Sequence, residues 1–185
     1  MKQIRNAVLA ALLLLAPLAT IQAAEFSHPS VTGAFRAGGA YGVANFLGGH
    51  SGFELGVRAN DTGYYAFLFD FHGGYDPWHT IGGAKRGKFT WSGALGYRHY
   101  FADDAWSAFA GPFFGYMMVS GANPRPQWIT VGLQTVFNYH WWSSERVSVG
   151  PYLSLQMGGR LKAGDTALDK SYAMLNTALG FNIGF

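Results

Sequence analysis

Along most of this chain, apolar residues alternate with small or polar ones at a period of two. In the closing stretch NTALGFNIGF, Leu179, Phe181, Ile183 and Phe185 occupy every second position. Successive side chains of an extended strand point to opposite faces, so this alternation predicts a strand with one greasy side and one compact or polar side. Seven earlier stretches carry the same signal. VTGAFRAGGAYGVANF (31–46) sets Val31, Phe35, Tyr41 and Val43 against Thr32 and Arg36. GFELGVRAN sets Phe53, Leu55 and Val57 against Glu54 and Arg58, and YYAFLFDFHG sets Tyr65, Phe67, Phe69 and Phe71 against Asp70 and His72. KFTWSGALGYRHYF places Phe89, Trp91, Leu95, Tyr97 and Phe101 opposite Thr90, Ser92 and Arg98. WSAFAGPFFGYMMV is the noisiest, with Trp106, Phe114, Tyr116 and Met118 predicted outward and Ser107, Gly111 and Gly115 inward. WITVGLQTVFNYHW opposes its apolar stripe with Gln134, Asn138 and His140, and RVSVGPYLSLQMG does so with Ser148, Ser154 and Gln156.

The connectors alternate too. Asn60-Asp61-Thr62-Gly63, Ala102 to Ala105 and Ser143-Ser144-Glu145 are short and carry turn-forming residues. The other connections, GYDPWHTIGGAKRG, GANPRPQ and RLKAGDTALDK, are long, with LGGHS a short exception. Pro112 and Pro151 fall inside the fifth and seventh strands, where a missing N–H predicts a bulge or loosened pairing.

The N-terminus changes the picture. Lys2 and Arg5 precede an apolar run from Ala7 to Leu18, and Ala23-Ala24 offers small residues for cleavage, so residues 1–24 read as a removable export signal and 25–185 as one domain. Charge is sparse at 12%, aromatics reach 17%, there are 26 glycines, and cysteine is absent, which leaves no disulfide, lipid-attachment or thiolate metal site. Without Lys2 and Arg5 the chain is nearly neutral, unlike a nucleic-acid binder. No run after the signal has the roughly 18 apolar residues of a spanning helix. A soluble barrel would turn its bulky apolar face inward; here the bulky residues form continuous stripes opposite a face of small residues and isolated charges. Tyr64, Tyr65, Trp106, Tyr139, Trp141 and Trp142 near the short turns, with Trp78 and Trp128 near the loops, suggest two interfacial girdles. The prediction is an all-β, eight-stranded antiparallel up-and-down transmembrane β-barrel in a bacterial outer membrane.

With its export signal, eight alternating strands and terminal Phe185, the chain resembles the small outer-membrane barrels, which include the OmpA transmembrane domain, OmpX, PagP and PagL. The resemblance implies that Leu179, Phe181, Ile183 and Phe185 form the signal read by the barrel-assembly machinery. The physical reading stands beside it: the last strand must pair with the first, because an open edge in lipid leaves backbone groups unsatisfied.

Eight strands enclose a space that side chains fill. Arg36, Glu54, Arg58, Asp70, His72, Arg98, Gln134, Asn138, His140 and Gln156 share the inward parity and are expected to form an ion-paired plug, since unpartnered charge there is costly. A narrow channel for small or amphipathic solutes is the alternative. A lipid A-modifying acyltransferase or deacylase is the second. The resemblance to PagL fails at its His-x-Ser-Asn signature, because in NYHWWSSE the serines Ser143 and Ser144 follow His140 by three and four positions. A PagP-like set of His50, Ser51, Asp76 and His79 would have to meet above adjacent strands. No catalytic residue, metal site or cofactor is assigned. Lys85, Arg86, Lys88, Arg125, Arg160, Lys162 and Lys170 cluster in and beside the long connections, where they would meet lipopolysaccharide phosphates. The expected partners are outer-membrane lipid, lipopolysaccharide and the assembly machinery, for a non-enzymatic monomer with an envelope-integrity or adhesion role.

Overall fold

A computed structural model describes residues 27–42, 46–81, 84–120, 127–162 and 172–185. Nine β-segments run in chain order: β1 (Val31–Gly42), β2 (Phe46–Asn60), β3 (Gly63–Ile81), β4 (Ala84–Phe101), β5 (Trp106–Val119), β6 (Gln127–Tyr139), β7 (Trp141–Trp142), β8 (Ser148–Lys162) and β9 (Tyr172–Gly184). β6 and β7 are one strand interrupted at His140, so the barrel has eight. Each pairs antiparallel with its sequence neighbour, and β1 pairs with β9 to close the sheet. Closure removes the exposed edge that hydrocarbon would not tolerate.

The register fixes how steeply the strands tilt. Following direct partners round the barrel from Arg36 leads through Gly52, Asp70, Ser92, Gly115, Thr130 and Arg160 to Tyr172. The direct β9 partner of Arg36 is Asn182, ten residues further on. That stagger sets the shear and tilt together, and a barrel this narrow must coil its strands tightly. Glycines permit it: Gly38 faces Gly180 and Gly132 faces Gly158 on the inward side. A Cβ on Gly38 would lie 2.6 Å from the Gly180 Cα, so no side chain fits there.

Outward parity holds in all eight strands. Phe35, Leu55, Tyr65, Leu95, Phe114, Leu133, Leu153 and Leu179 are exposed, one from each. Arg36, Glu54, Asp70, Arg98, Gln134 and Asn182, on the opposite parity, are buried. Cross-strand rings line the outside, with Phe69 between Phe53 (5.5 Å) and Trp91 (6.0 Å).

The prolines loosen pairing without shifting it. On the β4–β5 side the ladder skips the partners of Gly111 and Pro112 and resumes in the same register. Opposite Gly150 and Pro151 it skips Tyr139 and His140, which is the break between β6 and β7. Both lie on the side from which the proline nitrogen would have donated.

Several boundaries differ from expectation. LGGHS is not a connection: Gly48 and Gly49 lie within β2, and the β1–β2 link falls at 43–45, which takes Val43 outside the described residues. Most of GYDPWHTIGGAKRG continues β3 and β4 as a hairpin beyond a register shift between Tyr75 and Thr80. Glycine-rich sequence reads as a turn, but here it serves close approach of neighbouring backbones. Residues 1–24 lie outside the described chain.

Candidate functional site: the barrel interior

The three short turns and both described termini share one end, here the turn end; the opposite one is the loop end. At the turn end, residues 27–30 cross the opening and touch two of the turns and the strands that flank the third. Ser27 N donates to Glu145 O (3.0 Å), the His28 ring meets Asp104 (3.0 Å), and Arg58 Nη1 donates to His28 O (3.0 Å). Tyr64 Oη donates to Pro29 O (3.0 Å), and Tyr64, Tyr100 and Trp142 pack together behind it as a buried aromatic floor. The turn 102–105 is strained: Ala102, Asp103 and Asp104 all have left-handed φ, of 53°, 54° and 61°. It is held by Trp142 Nε1 donating to Asp104 O (2.9 Å) and His140 N donating to Ala105 O (2.8 Å).

Above the floor lies the first charged layer. Arg98 grips both carboxylate oxygens of Glu54, through Nε and through Nη2 (2.6 Å). Its Nη1 donates to Ser107 Oγ (2.8 Å), which contacts His140 Nε2 (2.8 Å), whose Nδ1 contacts Ser148 Oγ (3.0 Å). The Asn138 amide, with its oxygen toward Arg98, accepts from Nη1 at 3.2 Å. The second layer centres on Asp70. Arg36 Nη2 and His50 Nε2 each lie 3.0 Å from its Oδ1, Gln134 Nε2 donates to its Oδ2, and His50 Nδ1 meets the Tyr152 hydroxyl. Two arginines and two carboxylates are therefore interlocked, with Arg36 Nη1 also 4.0 Å from Glu54. Of the two pairs, Arg98–Glu54 is bidentate, a geometry that loses little entropy per bond.

From Asp70 a one-directional chain of amides climbs to the loop end. Lys88 Nζ donates to Asn176 Oδ1 (3.1 Å), Asn176 Nδ2 to Gln156 Oε1 (3.3 Å), Gln156 Nε2 to Gln134 Oε1 (3.2 Å), and Gln134 to Asp70. Every member donates toward the carboxylate, an arrangement in which the bonds polarise one another.

The interior is not wholly polar. Leu68, Phe109, Phe113, Val136 and Tyr152 form a buried apolar cluster beside these layers, and Met117, Val119 and Trp128 form another toward the loop end. The fifth strand looked noisy because both its faces are apolar.

Of the predicted interior residues, Arg36, Glu54, Asp70, His72, Arg98, Gln134, Asn138, His140 and Gln156 are buried inside. Arg58 is a correction. It sits one step past the last buried layer, 39% exposed, and pairs with Asp61 (2.8 Å) at the turn. Lys88 is a second correction: it belongs to the interior, 8% exposed, because it shares parity with Thr90 and Ser92. Tyr64, Trp142 and Trp128 are likewise inside, so the outward aromatics of the turn end are Tyr65, Tyr97, Trp106, Tyr139 and Trp141. Arg160 packs over the Trp128 ring at 5.4 Å. Lys85, Arg86 and Lys162 lie at strand ends of the loop end, with their side chains not described, while Arg125, Lys170 and Trp78's side chain fall outside the description. Leu179, Phe181 and Ile183 are more than half exposed on β9, and Phe185 pairs with Gly33 through both backbone hydrogen bonds (2.7 and 2.8 Å).

Of the set His50, Ser51, Asp76 and His79, the first two point to opposite faces. His50 points inward to Asp70, whereas Ser51 is exposed on the outward face. Asp76 and His79 belong to β3, with undescribed side chains. The His50–Asp70–Tyr152 and Ser107–His140–Ser148 groups have the residue types of acid–base chemistry, but Tyr152, Ser107 and Ser148 are at most 1% exposed. A general base works only within reach of its substrate. Sequence reasoning missed His50, Tyr152 and the His28–Pro29 crossing; parity carried the signal for the first two.

No family model matches the sequence, and no curated protein does. Similarity lies in three dimensions. The structure of Neisserial surface protein A superposes with a TM-score of 0.60 at 12% identity, covering 84% of this chain and 96% of that one. Ail, the attachment invasion locus protein of Yersinia pestis, gives 0.46 at 10% identity over 84% and 97% of the two chains. The N-terminal β-barrel domain of Pseudomonas aeruginosa OprF gives 0.45 at 11% over 84% and 98%. At these identities the likeness is one of fold.

Proposed function

We propose that this chain is a non-enzymatic integral protein of a bacterial outer membrane, with an interior closed by its own side chains and a loop end that meets lipopolysaccharide. The observation that carries this reading is the interlocked Arg98–Glu54 and Arg36–Asp70 layers above the aromatic floor, inside a barrel whose outer face is apolar. Removing one partner of such a pair strands a buried charge, so the layers favour a fixed plug over an exchangeable gate. The fold likeness to Neisserial surface protein A supports placement at a cell surface. In this reading residues 1–24 are the removed export signal, and the exposed row Leu179, Phe181 and Ile183 with Phe185 is the assembly signal. Lys85, Arg86, Arg125, Arg160, Lys162 and Lys170 supply the basic contact with lipopolysaccharide, in support of envelope integrity or adhesion.

Planar-bilayer recording tests the closed interior. The purified barrel is expected to give no discrete conductance steps; steps that vanish on Arg98→Met would establish the channel instead. Mass spectrometry of lipid A from cells with and without the protein is expected to show identical acyl chains, and any added or missing chain would establish an enzyme.

A further inference from the structure

The crossing at the turn end is held by side chains and not by the sheet. Residues 27–30 belong to no strand; the β1–β2 ladder ends at Val31 and Val57, with one further bond from Arg58 N to Ser30 O (2.9 Å). We propose that this segment is a releasable strap, latched by His28 on Asp104, whose release opens the turn end down to the Arg98–Glu54 layer. Three observations lead there.

First, backbone strain is concentrated at the latch. Among the described residues, the non-glycine positions with left-handed φ are His28 (46°), Ala102 (53°), Asp103 (54°) and Asp104 (61°). All four gather where the His28 ring meets Asp104 at 3.0 Å. Aspartate and histidine tolerate that conformation better than alanine does, yet each gives up an easier one. Such strain persists only where its surroundings impose it, and it collects at switch segments. Releasing this one contact frees the strap and the turn that faces it together. Second, the strap covers the aromatic floor. The His28 ring stacks at 6.3 Å on Tyr64 and stands edge-on at 5.9 Å to Tyr100. Arg58 clips the other side, with Nη1 on His28 O while Nε and Nη2 hold Asn60 O (3.2 Å) and Asp61. The His28 and Asp104 side chains are 16% and 21% exposed, so water competes for the latch; those of Arg98 and Glu54 are 2% and 5% exposed. Third, a recess adjoins the floor. Glu54, Arg98, Tyr100, His140, Trp142 and Ser148 line it, and its free space of about 20 Å³ admits a single water. It runs from Arg146 and Phe185 at the turn end to the charged layer. With the strap in place Tyr100 is backed by His28 and nothing larger enters; with the strap lifted the floor loses its cover and the recess widens. The Asp70 layer above is untouched by this motion, so release adds no path through the barrel and the inference goes beyond the closed interior proposed above.

The test uses the full mature protein in detergent micelles, with a single thiol, Ser148→Cys, in the recess and a membrane-impermeant thiol reagent. Slow modification is expected while the strap is latched, and modification about tenfold faster or more once His28→Ala is added. His28→Asn accepts a left-handed φ and can donate its amide to Asp104, so it is expected to keep the thiol nearly as protected as the parent does. A separate thiol, Ser92→Cys, sits among the central amides where Gln156 Nε2 donates to Ser92 Oγ (2.8 Å), and reports general loosening. Its slow rate is expected to be the same with and without His28→Ala. Heat-modifiable electrophoretic mobility reports folding. If His28→Ala does not fold, Asp104→Asn, which keeps the left-handed turn and removes the carboxylate, carries the comparison. An unchanged rate at Ser148→Cys in a folded latch variant overturns the strap, and so does an equal rise at both thiols; neither result bears on conductance or lipid A structure.

Discussion

At the turn end of the interior, Arg98 holds both oxygens of Glu54, and Ser107, Asn138 and His140 take up the surrounding bonds. At the loop end, Lys88 rests on the neutral amide of Asn176, and His72 keeps an unpartnered nitrogen. The first arrangement neutralises its charge at contact; the second links its cation to Asp70 through a hydrogen-bonded row of three amides. The difference teaches two ways in which a narrow barrel can satisfy buried charge: by direct contact, or through neutral amides. Complementary charges at contact lock a layer, because either alone would be stranded.

The contrast yields graded expectations. Arg98→Met leaves Glu54 buried and unpaired, so it is expected to cost about 3–5 kcal/mol in denaturant unfolding from detergent micelles. The double variant Arg98→Met/Glu54→Leu should recover most of that loss; a double variant as unstable as the single would mean that packing, not charge, holds the layer. Gln134→Leu cuts the amide chain at Asp70 and is expected to cost about 1–3 kcal/mol, the desolvation penalty of an unsatisfied polar group. Lys88→Met removes the donor from Asn176 Oδ1 and is expected to cost about 1 kcal/mol, the net worth of a hydrogen bond. A cost as large as that of Arg98→Met would erase the distinction between the two ends. Ala102→Gly, at the left-handed start of its turn, is expected to stabilise by roughly 0.5–1 kcal/mol.

The sequence carried the faces of the strands well and their meetings poorly. Parity placed Phe35, Leu95 and Leu179 outside and Arg36, Asp70 and Gln134 inside, because alternation is local. It could not tell that Gln134 would reach Asp70, since that contact depends on the ten-residue stagger accumulated round the barrel. Lys88 shares parity with Thr90 and Ser92, yet its neighbours Lys85 and Arg86 made it look like part of a basic loop. His50 was hidden by Gly48 and Gly49, whose physical role is close backbone approach and not a turn. Phe109, Phe113 and Met117 were obscured because the fifth strand is apolar on both faces. The His28 crossing has no periodic signature at all; it is fixed by Asp104, Arg58 and Tyr64, each from a different element.

Because the chain lacks cysteine, single thiols report water access at chosen heights. Lys88→Cys at the loop end and Ser107→Cys within the Arg98 layer would be exposed, in folded barrels, to a membrane-impermeant thiol reagent. Rapid modification at position 88, with protection at position 107 until the barrel is unfolded, is the predicted result. Modification of Ser107→Cys at a comparable rate in the folded protein would contradict a sealed turn end.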